Sequence, residues 1–357
     1  MNRLVLLILT ALNSGGKPLS SRELATRLAS QGVSLSERTV RYYLKKFDED
    51  GFTEGCARKG RRITAKGRQE LTQGFVSERV GLIINKINNL AFLADFDPDT
   101  GRGKVILNVT YVPEERLQEA LNLLPSLLRS PYTLSDRIVL ARSGECLGDL
   151  LIPDGLSAIG TLCSITLNSI LLKAGIPVST KFGGIVKVRN SEPVGFSSAI
   201  SYEGSSVPPL EILIKSGMTD VLGAIFRGTG KILGSFREIP ADSLCEARKI
   251  HEKLKKLGCR SSIFFGQPGE PLLGLPVTDG KAGMVVLGGL NPSAALEEAG
   301  LASDSSALAL LYDYPALSSV ETLSGLYGFE MHAAPSSCPQ SRDALRHPDY
   351  PPLLGKV

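Results

Sequence analysis

Two similar segments in the second part of the sequence restrict its fold more than any other feature. The phrase GKVIL, which starts at Gly103 and leads to Pro113, is matched by GKIL, which starts at Gly230 and leads to Pro240. The two prolines are 127 residues apart (240 minus 113). Each segment continues with apolar runs that alternate between the strand and helix periods in the order β-α-β-β-α-β. The repeat therefore predicts two ferredoxin-like halves, each with its helices on one face of an antiparallel sheet.

The first part of the chain, residues 1–74, has the pattern of three helices and a hairpin. Residues 2–13 are apolar at helical spacing, residues 20–32 follow as a serine-capped helix, and a third helix begins after Ser36. This order is that of the helix-turn-helix motif. Residues 52–63 then predict two short strands around a basic turn, as in a winged helix. We therefore expect an α+β fold, with an N-terminal winged helix-turn-helix domain before the two ferredoxin-like halves.

The third helix has one apolar face and one basic face. Val40, Leu44 and Phe47 recur at helical spacing, so that face can pack on a core. A short helix with a basic outer face suits the major groove of DNA. Taken alone, the stretch also fits a solvated amphipathic helix, but the helix before it and the basic hairpin after it favour DNA binding. The residues that we expect to contact DNA are Ser36, Arg38, Thr39, Arg41, Tyr42, Lys45, Arg58, Lys59, Arg61 and Arg62.

The positive charge of the chain is concentrated in this first part. Residues 1–80 contain 15 Lys and Arg against 8 Asp and Glu, whereas all 357 residues together have a net charge of only +4. This asymmetry implies that only the first part binds a polyanion, which we take to be a double-stranded DNA operator. We expect Arg38, Thr39 and Tyr42 to face base edges and the other cations to lie nearer phosphates. Two winged helices related by a twofold axis can read two half-sites, so we also expect a homodimer.

The sequence offers little apparatus for catalysis. It has three histidines, of which His332 and His347 lie in a proline-rich C-terminal segment, and it lacks a phosphate-binding loop. The six cysteines form no CxxC pair, so we expect reduced thiols, no zinc and a cytoplasmic location. Cys163 is either a thiol of lowered pKa or a small buried residue. No run is apolar enough to cross a membrane. We expect no catalytic residue, no metal and no cofactor.

Several glycine- and serine-rich phrases lie near predicted strand ends and helix starts. Each is explained by a tight turn, but together they offer backbone N–H groups that can hold an anion. Arg227, Lys181 and Arg237 can supply a cation for a carboxylate, and Arg227 is our first choice. Glu203 would repel an anion unless it holds Arg227 in place. The residues that we expect to line the ligand cleft are Thr161, Ser164, Gly183, Gly184, Tyr202, Glu203 and Arg227.

Five phrases of the body carry a resemblance to a known family. IGTLCSITLN, KFGG, AISYEGSSVPPLEI, FREIP and VVLGGLNPSAALEEAG resemble the NrpR family of nitrogen-responsive transcriptional repressors, over about residues 78–320. The resemblance implies a repressor of nitrogen-assimilation genes with one regulatory domain, which releases its operator on binding 2-oxoglutarate. The residues themselves leave two alternatives, an amino-acid-sensing regulator and an enzyme that acts on a small carboxylate.

These patterns divide the chain into five segments. We expect a winged-helix domain at residues 1–74, a linker at 75–93, the first regulatory half at 94–215, the second at 216–325, and a disordered proline-rich tail at 326–357.

Overall fold

A winged-helix domain and a larger two-sheet body account for the part of the chain that the computed structural model describes. That part comprises residues 3–13, 18–30, 33–56, 59–73, 81–258 and 263–327. Its helices are α1 Arg3–Asn13, α2 Ser21–Ser30, α3 Glu37–Glu49, α4 Ala65–Gln73, α5 Leu82–Leu93, α6 Leu117–Leu128, α7 Ile165–Lys173, α8 Pro209–Lys215, α9 Val221–Arg227, α10 Leu244–Lys256, α11 Asn291–Glu298 and α12 Val320–Tyr327. Its strands are β1 Thr53–Gly55, β2 Arg61–Ile63, β3 Lys104–Pro113, β4 Arg137–Ala141, β5 Cys146–Leu147, β6 Leu150–Leu151, β7 Leu156–Leu162, β8 Ser179–Arg189, β9 Glu192–Ser201, β10 Gly230–Pro240, β11 Ile263–Pro268, β12 Lys281–Leu287, β13 Asp304–Asp313 and β14 Ser318–Ser319.

The first three helices pack around one apolar core. Leu24 of α2 and Leu44 and Phe47 of α3 are almost completely buried in it, so the apolar stripe predicted for the third helix faces inward. β1 and β2 form the antiparallel wing, and a bridge between Leu19 and Arg61 ties the wing to the start of α2. The predicted winged helix-turn-helix is confirmed.

The body contains two five-stranded antiparallel sheets, and each sheet combines strands from both repeated units. One sheet has the order β13-β3-β7-β4-β14 and the other has the order β11-β12-β10-β8-β9. Three strands of each sheet come from one unit and two come from the other. In the first sheet β13 pairs with β3 and β14 pairs with β4, and in the second sheet β8 pairs with β10 and β9 pairs with β8. The predicted β-α-β-β-α-β order is confirmed, but each unit gives the strands at its end to its neighbour. This exchange covers an edge strand in both sheets and joins the halves into one body.

The repeat is also visible in the backbone. A 3-10 helix follows Pro113 in the first unit and Pro240 in the second, and each leads directly into a long helix, α6 or α10. The two prolines have nearly the same backbone angles, φ −53° and ψ 135° against φ −55° and ψ 136°.

The structure changes the predicted segment boundaries. Much of the expected linker at residues 75–93 is α5, whose side chains Ile83, Ile87 and Leu90 are buried in the body, because they recur at helical spacing. The boundary expected after residue 215 falls between α8 and α9, but the strand exchange means that no sheet belongs to one half alone. α12 continues to Tyr327, and the rest of the expected tail at 326–357 lies outside the described residues.

Within the described ranges, no helix is both long enough and apolar enough to span a bilayer.

Candidate nucleic-acid interface and ligand cavity

The outer face of α3 presents a stripe of exposed side chains. Arg38, Tyr42 and Lys45 are spaced by four and three residues, so they share one face of the helix, and all three are exposed. Tyr42 is 66 % exposed, which is unusual for an aromatic side chain and leaves its ring available to a partner. The positive end of the helix dipole lies beside Arg38 and favours an approaching phosphate.

The start of α3 is fixed by a cap. The Ser36 hydroxyl accepts a hydrogen bond from the Thr39 N–H at 3.1 Å, and the two hydroxyl oxygens are 2.8 Å apart. Ser36 and Thr39 therefore both stabilise the start of α3, whereas the sequence predicted this role only for Ser36. Arg41 forms an exposed ion pair with Glu37 one turn earlier, which partly compensates its charge.

The basic residues of the wing are not equivalent. Lys59 and Arg62 are exposed, and Arg62 forms a 2.6 Å ion pair with Glu54 across the hairpin. Arg61 is half-buried, and its Nε donates to Asp48 of α3 at 2.6 Å, so it holds the wing against the helix. Arg58, which we also expected at DNA, lies outside the described residues.

Gly60 lets the wing lie close to the rest of the domain. Its φ is +104°, and a Cβ at this position would lie 2.3 Å from the backbone of Leu19. Only glycine fits such an approach without displacing the chain.

The most strongly buried charge in the body is Arg237, on β10. Its side chain is fully buried, and its guanidinium donates to the carbonyl and hydroxyl of Ser164, to Asn168 Oδ1 and to the Ser235 hydroxyl at 2.6–3.0 Å. All four acceptors are neutral, and Nε has no partner among the described residues. Burial lowers the pKa of Arg237 to about 10, so the group remains a cation at neutral pH. The negative charge that would balance it is missing from its hydrogen-bond partners.

A cavity of about 30 Å³ lies next to this cluster. Ser164, at the start of α7, belongs to both, because it lines the cavity and accepts from Arg237 Nη2 at 2.7 Å. Asn108 of β3 and Tyr202 also line it. Asn108 Oδ1 accepts from the Leu308 N–H at 3.1 Å, while its Nδ2 is buried without a partner in the described structure.

The cavity lies where corresponding parts of the two repeats meet. The start of α7 faces the start of α11, since a Cβ on Gly289 would lie 3.5 Å from the backbone nitrogen and hydroxyl of Ser164. Two helix N-termini, each with the positive end of a dipole, therefore border the same small space.

Three of the predicted ligand residues adjoin this space. Ser164 and Tyr202 line the cavity, and Gly183 makes room for Tyr202, because a Cβ there would lie 2.9 Å from the Tyr202 hydroxyl. Thr161 is buried on β7 opposite Asn108, and its hydroxyl has no partner in the described part of the chain. Burial raises the pKa of Cys163 as well, so this residue is a small buried thiol, the second of the two alternatives.

The other predicted ligand residues lie elsewhere. Arg227 ends α9 with its side chain 65 % exposed and paired to Asp220 at 2.9 Å, so Arg237, and not Arg227, is the buried cation. Gly228 follows in the left-handed conformation and ends the helix at the surface. Glu203 is exposed, and Gly184 packs against the Phe196 ring.

α5 lies between this cavity and the winged-helix domain. Ile83 and Ile87 form part of the cavity wall, whereas Leu82, Lys86 and Asn89 line a crevice of about 720 Å³ against α1. Lys86 also lines a second crevice of about 760 Å³, together with Arg27 of α2. Burial lowers the pKa values of both cations. α5 thus borders the cavity of the body on one side and the crevices beside the winged-helix domain on the other.

Across the residues that the structure describes, no group of three or more His, Cys, Asp or Glu side chains could hold a metal ion.

Comparison with known proteins identifies both parts of the chain. Residues 80–319 match the family model described as NrpR regulatory domains NRD1 and 2. The chain belongs to the NrpR family. Residues 6–71 match the model of the ribonuclease R winged-helix domain, which accounts for the N-terminal fold.

Named NrpR proteins are similar over most of this chain. The global nitrogen regulator NrpRI of Methanosarcina mazei is 33 % identical over 320 residues, which cover 90 % of this chain and 98 % of that protein. The global nitrogen regulator NrpR of Methanococcus maripaludis is 32 % identical over 86 % of this chain, but the chain spans only 53 % of that relative. The crystal structure of a nitrogen repressor-like protein from Methanococcus jannaschii matches 68 % of this chain and 99 % of its own, with a TM-score of 0.55 and 26 % identity.

These matches confirm the expected class of protein. An NrpR-family chain with an N-terminal winged helix is a nitrogen-regulating transcriptional repressor that binds DNA, and it is not an enzyme.

The sequence prediction missed one polar residue of the cavity and most of the Arg237 cluster beside it, although the signals were present. Asn108 interrupts the apolar strand KVILNVTYV, and Asn168 interrupts the apolar helix ITLNSILL. Arg237 likewise interrupts the apolar run in ILGSFREIP, but the sequence analysis named it only as one of three candidate cations. A polar residue inside an apolar run is most often buried with a partner or at a site.

Proposed function

We propose that this protein represses nitrogen-assimilation genes as a homodimer and releases its operator when 2-oxoglutarate binds to the body. The NrpR-family match supports the role in nitrogen regulation, and the position of α5 between the cavity and the winged-helix domain supports a route from ligand to DNA. The single observation that carries the effector class is Arg237, a buried cation whose hydrogen-bond partners are all neutral. A carboxylate is the natural counter-ion of a guanidinium.

The operator is read by the α3 stripe and the wing. Arg38 and Tyr42 enter the major groove, while Lys45, Lys59 and Arg62 lie along the phosphates beside it. Phosphate contacts supply sequence-independent affinity, and the groove contacts choose the site.

The test is equilibrium binding to labelled promoter fragments of nitrogen-assimilation genes, followed by fluorescence anisotropy at fixed ionic strength. We expect tight binding that weakens as 2-oxoglutarate is added, and no effect of glutamate or glutamine at the same concentration. Release by glutamine or other amino acids alone would instead favour an amino-acid-sensing regulator. A promoter affinity no greater than that for unrelated DNA would contradict the repressor assignment.

A further inference from the structure

The cavity beside Arg237 offers hydrogen-bond donors from three different elements. Asn108 Nδ2 lines it and is unpartnered within the described structure. The Ser164 hydroxyl oxygen already accepts from Arg237, so its proton is free to be donated into the cavity. The hydroxyl of Tyr202 sits over Gly183 and can donate as well.

The same cavity offers no carboxylate. Neither Asp nor Glu is among its wall residues, and Glu211, on the neighbouring α8, accepts from the Ala307 N–H. The two helix N-termini and the Arg237 guanidinium add further positive potential. A carboxylate entering the cavity would satisfy the unpartnered donors, whereas an ammonium group would find no anionic partner there. This asymmetry distinguishes a 2-oxo acid from the corresponding amino acid when the carboxylate in the cavity is the one next to the 2-oxo or 2-amino carbon.

The cavity is too small to take such a ligand as it stands. Its volume of about 30 Å³ is that of about one water molecule. The other wall residues belong to the two repeated units, whereas Ile83 and Ile87 belong to α5, which precedes both units and packs on them through apolar side chains. α5 is therefore the wall that we expect to move.

Two hydrogen bonds anchor the C-terminal end of α5, whereas its N-terminal half is held by the burial of Ile83 and Ile87. The Ser169 hydroxyl donates to the Ala94 carbonyl at 2.6 Å, and the Lys173 ammonium donates to the Phe92 carbonyl at 2.9 Å. At the other end, Gly81 has a φ of +77° and provides no side-chain cap. A displacement of α5 therefore pivots about its C-terminal end and swings the end that leads to the winged-helix domain.

We infer that one carboxylate of a small 2-oxo dicarboxylate binds in this cavity, against Asn108, Ser164 and Tyr202, and that its entry swings α5 away from the body. The identity of the ligand rests on the proposed function, whereas the site and the movement of α5 rest on the geometry. The winged-helix domain faces α5 across two crevices that Lys86 borders, so this movement changes the spacing of the two DNA-reading helices in a dimer.

The experiment is isothermal titration calorimetry of the full chain with 2-oxoglutarate and with glutamate, without DNA. Tyr202→Phe removes one hydroxyl and leaves the ring in place, and we expect it to weaken 2-oxoglutarate binding about tenfold or more. Asn108→Asp places a carboxylate in the cavity and should abolish binding. Tyr312→Phe, on β13 outside the cavity wall, is the matched control and should bind as the unmodified protein does.

Hydrogen exchange measures the movement of α5 in the same samples. We expect 2-oxoglutarate to raise exchange in residues 82–90 of the unmodified protein, and to leave these residues unchanged in Tyr202→Phe at the same ligand concentration. Unchanged hydrogen exchange in α5 at saturating ligand would overturn the proposed movement of α5.

Operator release is measured in parallel, so that the two claims fail separately. Unweakened binding in both Tyr202→Phe and Asn108→Asp, with normal release, would overturn the cavity and leave the proposed function standing. If the two variants lose ligand binding but the unmodified protein releases no operator, the proposed function is overturned and the cavity is supported. Equal binding of glutamate and 2-oxoglutarate would overturn the inference that the cavity accepts a carboxylate but has no anionic partner for an ammonium group.

Discussion

Replacing Arg237 with Met separates a structural role of this residue from a role in ligand binding. Burial lowers the pKa of Arg237 to about 10, which corresponds to a cost of about 3 kcal/mol for keeping the charge buried. Its four hydrogen bonds return about 1 kcal/mol each. In the absence of ligand the two effects nearly cancel, so we expect Arg237→Met to cost only about 1 kcal/mol of unfolding free energy.

The ligand response of this variant should change much more. A ligand at a hundredfold excess over its dissociation constant stabilises the folded protein by about 2.7 kcal/mol, and we expect this gain from 2-oxoglutarate to disappear in Arg237→Met. The assay is urea unfolding followed by circular dichroism, since the chain contains no tryptophan. A loss of more than about 4 kcal/mol without ligand, or a full ligand gain in the variant, would refute this reasoning.

Four further predictions concern the DNA-reading helix, the wing, the buried carboxyl of Glu211 and the oligomeric state. Arg38→Ala should cost roughly 1–3 kcal/mol of operator binding and relax sequence preference, as measured by anisotropy on mutated sites. Arg62→Ala should weaken binding to all DNA and reduce the salt slope by about 1, whereas Arg61→Ala, which breaks the 2.6 Å pair between Arg61 and Asp48, should also lower the melting temperature. Burial raises the pKa of Glu211, so its contribution to stability is complete below the ordinary carboxyl pKa and is lost as pH rises through the folded pKa. Glu211→Gln should therefore stabilise the protein at neutral pH but not at about pH 4, as urea titrations at both pH values would measure. Light scattering at micromolar concentration should give the mass of a dimer, and a monomer with full operator affinity would contradict this expectation.

The sequence predicted those features of the fold that depend on local periodicity. Val40, Leu44 and Phe47 identified the inner face of α3, because a buried helix face repeats every three to four residues. The strand exchange was not predictable in this way. A β-α-β-β-α-β pattern has the same residues whether its last strand pairs within its own sheet or with the other unit, and only the three-dimensional register distinguishes the two.

The candidate site was predicted in part for a related reason. Ser164 and Tyr202 were found because small and polar residues near strand ends mark loops that can bind ligands. Arg227 was preferred to Arg237 because it stands in a glycine-rich phrase, but Gly228 ends α9 there and leaves the guanidinium in solvent. Two of the three partner residues of Arg237, Ser164 and Asn168, lie at the start of α7 and within it, 69 to 73 residues earlier in the chain, and such distant contacts leave no local pattern.

A crystal structure of the full chain grown with 2-oxoglutarate would show directly whether the ligand binds in the cavity beside Arg237. We expect one ligand carboxylate within hydrogen-bond distance of Asn108 Nδ2 and the Ser164 hydroxyl, with the Ile83 end of α5 moved outward. A ligand bound elsewhere, with the cavity still closed by Ile83 and Ile87, would contradict it.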